Sequence, residues 1–147
     1  CRVLVYVGAG LCYTVMLPSA LWIGSMLMLC YLIGLTYIAK QENLGSVENL
    51  WPLVFLAAPV VYGAWLIPAQ GTIVFFWLLF STWMLVALWF LRRRKSGDIP
   101  RAVVSLIAGI SLLDAMLIAG TGSTALAVLA LAAFGFTLLF QRYIAGT

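Results

Sequence analysis

Apolar residues fill this chain in long runs separated by short polar breaks. The runs are Val3–Leu17, Ser19–Ala39, Leu50–Ile67, Thr72–Leu91, Ala102–Ala119 and Thr124–Phe140. A helix that crosses a bilayer needs about 20 mainly apolar residues, and most of these runs meet or approach that length. Helices are the natural spanning choice because they satisfy their own backbone hydrogen bonds in hydrocarbon. A membrane barrel would require alternation of apolar and polar residues. Leu27–Ile33 reads Leu-Met-Leu-Cys-Tyr-Leu-Ile and does not alternate. The pattern therefore predicts an all-α, polytopic transmembrane helix bundle with about six spanning helices, forming a single domain over residues 1–147. Pro18-Ser19, Pro68–Gly71 and Gly120–Ser123 are expected to be tight hairpins, and 40–49 and 92–101 longer loops. Pro52 is tolerated in a first helical turn, whereas Pro59 should kink its helix.

Composition supports this reading. Hydrophobic residues make up 65% of the chain and charged residues only 8%, against about 25% charged in a soluble domain. Charge adds orientation. Threading the runs in alternating directions gathers all 8 Lys and Arg residues on one side: Arg2, Lys40, Arg92, Arg93, Arg94, Lys95, Arg101 and Arg142. The opposite hairpins carry no charge. Short basic loops stay in the cytoplasm, so 40–49 and 92–101 are expected there and the protein in the membrane as a multi-pass chain. The net charge of +4 then marks topology and attraction to anionic headgroups, and no nucleic-acid partner is expected. Trp22, Trp51, Trp65 and Trp89 lie near proposed helix ends, where indoles anchor at the interface. The chain opens on Cys1-Arg2. A signal peptide or a lipidated cysteine is weighed against a first spanning helix, and the five further runs favour the helix. The opening is read as the C-terminal portion of a longer protein.

Candidate chemistry is sparse. Cys1, Cys12 and Cys30 lack metal-ligand spacing, and the chain has no His, which removes His-dependent triads and the common zinc sites. Gly120-Thr-Gly-Ser-Thr-Ala matches part of a dinucleotide fingerprint without the preceding strand that motif requires. Ser105 with Gly109, Gly8 with Cys12, and alanines along 125–133 suit close helix packing. Asp114 is the one charge within a run, near the uncharged end of its helix, and suits a structural or interfacial role. The exit of the second run gathers more: Tyr37, Lys40, Gln41 and Glu42 bring a phenol, a cation, an amide and a carboxylate together. A diphosphate needs a divalent cation held by carboxylates, plus Lys or Arg on its phosphate oxygens. Glu42 with Lys40 supplies half of that set. A solvated helix end is the alternative.

The opening Cys1-Arg2 and the helix end Tyr-Ile-Ala-Lys-Gln-Glu at 37–42 resemble the second half of the UbiA superfamily of membrane prenyltransferases. A Tyr-Ala-x-x-Asp-x-x-x-Asp type motif ends a cytoplasmic-side helix in that family. Tyr37 matches its tyrosine, Gln41 stands where the first aspartate would, with Glu42 beside it, and Gly45 stands at the later aspartate. Leu113-Asp114-Ala115 and the tail Gln141 to Thr147 are similar to the divergent EboC-type branch. The resemblance implies a helical bundle with a cavity open to lipid. It also implies Mg²⁺ on a prenyl diphosphate and capture of an allylic cation by an aromatic or lipidic acceptor. Glu42 would be a metal ligand, Lys40 and Arg2 diphosphate contacts, and Tyr37 and Gln41 cavity wall. The family's first acidic motif, Asn-Asp-x-x-Asp, has no counterpart in this sequence, and Asp98 in the Arg-rich loop lacks a partner carboxylate. The piece alone is thus expected to be inactive. A non-catalytic bundle that binds or exports a lipophilic metabolite is the rival expectation.

Overall fold

The computed structural model describes residues 4–5, 7–8, 19–44, 53–68, 71–93 and 98–143, with only the backbone at 41–44 and 141–143. The regular elements are α1 (Ser19–Leu44), α2 (Val54–Leu66), α3 (Ile73–Arg93), α4 (Asp98–Gly120) and α5 (Thr124–Tyr143). No strand occurs among the described residues. The all-α expectation is met among the described residues, and helices suit apolar surroundings because they satisfy their own backbone groups.

Three helices, α1, α3 and α4, are long and apolar enough to cross a membrane. The expected number of about six is not reached among the described residues. Helix α2 has 13 residues, about 20 Å at 1.5 Å per residue, against a hydrocarbon core of about 30 Å. Among the described residues it starts at Val54 and runs through Pro59, which is buried inside it. Helix α5 has 20 residues and is apolar over Thr124–Phe140. Of the first apolar run, Leu4, Val5, Val7 and Gly8 are described, each with helical backbone. The rest of that run lies outside the described residues, as do Trp51 and Pro52.

The described parts of two expected loops are helical. Helix α1 continues to Leu44, so Lys40–Asn43 is a helical extension. Arg92 and Arg93 form the last turn of α3, and Asp98 opens α4. Pro100 falls in that first turn, where its missing N–H is an unpaired donor position in any helix. The α4–α5 hairpin turns on Gly122, whose φ of 87° only glycine adopts freely.

Helix α4 is the hub. It packs against the other four helices, and 61% of its apolar window is buried, against 28% for α3. Pairwise contacts set the directions. A methyl at Gly24 of α1 would meet Leu117 and one at Gly109 would meet Tyr31, so α1 and α4 run antiparallel. Gly120 lies near Ile73 while Trp83 bonds Ser105, so α3 and α4 are antiparallel too. Gly63 faces Met116 and Gly120 faces Leu66, so α2 runs with α4. Consequently Lys40, Leu53, Arg93 and Asp98 share one end of the bundle. The residues near Ser19, Leu66, Ile73 and Gly120 share the other.

Indole and phenol groups pin this arrangement. The Tyr31 hydroxyl donates to the Leu106 carbonyl at 2.7 Å, and Trp83 Nε1 donates to the neighbouring Ser105 carbonyl at 2.7 Å. Trp77 Nε1 donates to the Val60 carbonyl of α2 at 2.8 Å. A buried N–H or O–H without a partner costs several kcal/mol in hydrocarbon, far more than any single packing contact. Each of these groups therefore finds a carbonyl on a neighbouring helix. Large apolar side chains such as Leu85, Trp65 and Phe75 remain exposed, an outer surface suited to lipid and not to water.

Candidate functional site

Helix α1 presents its buried stripe as Leu27, Met28, Tyr31, Gly34 and Ile38. The spacing of three and four residues is that of one helical face. Position 42 lies four residues beyond Ile38, one turn further along the helical backbone. Tyr37 and Lys40 stand three apart on another face, which position 41 shares. Tyr37 is half-buried and Lys40 is exposed. The expected constellation is therefore gathered at one helix end but divided between two faces. The side chains of Gln41 and Glu42 are not described, and Arg2 and Gly45 lie outside the described residues.

The antiparallel packing brings Lys40 to the same end as Arg92, Arg93 and Arg101. The backbone of α5 carries Arg142 to that end as well. The described residues of the opposite end are uncharged, so the charge asymmetry legible in the sequence is reproduced in the helix packing. Asp114 lies six residues before the end of α4 at Gly120, toward the uncharged end. The Thr121 hydroxyl just beyond the helix donates to the Ile118 carbonyl at 2.7 Å.

Asp98 differs from its expected place in a loop. It opens α4 and is buried to 2% exposure. Arg93 Nε lies 3.7 Å from its Oδ2, and Arg101 Nη1 lies 3.9 Å from its Oδ1. The carboxylate also sits at the positive end of the α4 dipole. Burial follows from this pairing, because an isolated buried carboxylate would be far more costly. Both contacts are longer than a hydrogen bond, and Oδ2 has no hydrogen-bond partner.

The described acidic side chains are Asp98 and Asp114, and those of Glu42 and Glu48 are not among them. Among the described residues no group of three Asp, Glu, His or Cys side chains could hold an ion. Asp98 is paired with two arginines, and Asp114 is at the other end. One described hollow is almost wholly apolar. It is an open trough of about 540 Å³ along one face of α2, lined by Val54, Ala57, Ala58, Val61, Tyr62 and Trp65.

No protein-family model, curated protein or solved structure matches this chain. Its chemistry must be argued from its own residues. Sequence reasoning missed the Asp98 pairing, although Arg93 and Arg101 flank Asp98 in the sequence. An acid between basic residues reads as a solvated loop until burial is known. It also missed Trp77 and Trp83 as hydrogen-bond donors between helices.

Proposed function

We propose that this chain is part of a UbiA-like integral membrane prenyltransferase with its basic end in the cytoplasm. The protein would cross the membrane several times and transfer an isoprenyl group from a prenyl diphosphate to an aromatic or lipidic acceptor. The observation that carries this reading is the register of α1. Its buried stripe runs through Tyr31 and Ile38, one helical turn before position 42, toward the end where Lys40, Arg92, Arg93 and Arg101 collect. Cationic groups there suit a diphosphate arriving from the cytosol. Lys40 and Arg2 are assigned to the diphosphate, Tyr37 and Gln41 to the cavity wall, and Glu42 to the metal.

A second reading keeps the fold and drops the chemistry: a membrane protein that binds or exports a lipophilic metabolite. One observation favours it: Gln41 stands where the resembling motif has a charged aspartate.

The test is transfer of labelled prenyl groups by the full-length protein in membranes, with Glu42→Ala as the comparison. The proposal expects product from the wild type and a drop of at least 100-fold in the variant, on the order of losing a metal's ligand or its second shell. An inactive wild type with every donor and acceptor supports the binding reading. Full activity in Glu42→Ala removes Glu42 from the site.

A further inference from the structure

One side of α3 remains exposed along nearly its whole length and then turns basic. Leu78, Leu85, Val86 and Trp89 are exposed, at 52, 67, 38 and 54%, and Arg92 and Arg93 follow on the same helical face. The Arg93 guanidinium lies 5.2 Å from the centre of the Trp89 ring, within range of a cation–π contact. Across the α3–α4 turn, Arg101 is 72% exposed and is tied to the same buried carboxylate as Arg93. Asp98 thus holds two guanidinium groups beside each other without using up their donors, since neither contact is short enough for a hydrogen bond.

We infer that Arg92, Arg93 and Arg101 form a binding site for the headgroup of an anionic phospholipid whose acyl chains lie along the exposed face of α3. The guanidinium fork matches phosphate oxygens in pairs. The N-terminus of α4 adds the positive end of a helix dipole. Continuity with the apolar face selects a lipid over a soluble phosphate, because only a lipid covers both Trp89 and the arginines. One net negative charge is buried against three guanidinium groups, which leaves the patch positive. This inference does not depend on prenyl transfer.

The test measures lipid preference of the full-length protein reconstituted in vesicles of phosphatidylcholine with or without phosphatidylglycerol. Lipid retained after detergent extraction is read by native mass spectrometry. The wild type is expected to retain phosphatidylglycerol preferentially. Arg92→Gln and Arg101→Gln, both at exposed side chains, should each lower that preference about fivefold. Arg142→Gln removes a charge from α5 at the same end and should leave it unchanged. Equal retention of both lipids by the wild type overturns the site. So does an equal loss in Arg142→Gln, which would mean diffuse attraction. Displacement of the lipid by inorganic pyrophosphate at matched phosphate concentration would also overturn it, in favour of a soluble phosphate ligand.

Discussion

Gly109 is where one missing methyl group lets three helices meet. A Cβ there would come within 2.6 Å of the Tyr31 hydroxyl and 3.4 Å of the Trp83 ring. The Tyr31 hydroxyl needs that space to reach the Leu106 carbonyl. Tyr31→Phe should lower stability by about 1 kcal/mol, the net value of one hydrogen bond. Gly109→Ala should cost more, about 1–3 kcal/mol, because the added methyl overpacks a filled interior. The double variant should lose less than the sum, since phenylalanine has no oxygen to collide with the new methyl. Denaturant unfolding in detergent, followed by circular dichroism, measures all three. Strict additivity would show that the two positions do not share a contact. The small pair Ser105 and Gly109 was legible as a place of close approach. Its partner was not, because Tyr31 stands 75 positions from Leu106 and only the fold joins them.

At the scale of elements, the apolar runs identified the described helices, while their ends followed local chemistry that hydropathy does not register. Helix α1 passes Lys40 and continues to Leu44 because polar residues with good helix propensity extend a helix into water. Helix α4 begins at Asp98, four residues before its apolar run, where an acid favours the dipole and Pro100 is harmless. Helix α2 shows how tightly neighbours constrain a short element. A Cβ at Gly63 would meet Trp77 Cδ1 at 2.5 Å and Met116 Sδ at 2.7 Å. Gly63→Leu should therefore push α2 off α3 and α4 and break the Trp77–Val60 bond, at a cost of about 1–3 kcal/mol or more. Ala57→Leu on the open face should change stability by less than about 0.5 kcal/mol. Detergent denaturation read by tryptophan fluorescence separates the two, and equal effects would contradict the packing of α2.

For the whole molecule, the arrangement makes a prediction about sidedness. In a variant lacking Cys1, Cys12 and Cys30, cysteines placed at Lys40 and Arg92 should react with an impermeant thiol reagent from one side of a sealed vesicle. A cysteine at Gly122 should react only from the other side. Labelling of Lys40→Cys and Gly122→Cys from the same side would overturn the antiparallel order of α1 and α4. The sequence by itself determined that the chain is helical, that it is built for an apolar solvent, and that its basic residues collect at one end. These properties depend on composition and on periods of a few residues, which are local. Only the tertiary structure decided that α4 is the hub, that Asp98 is buried between two arginines, and that Tyr31 and Ile38 lie on the buried face of α1. Each of those depends on which helices touch, and a run of leucines and alanines looks the same whether it faces a neighbour or lipid.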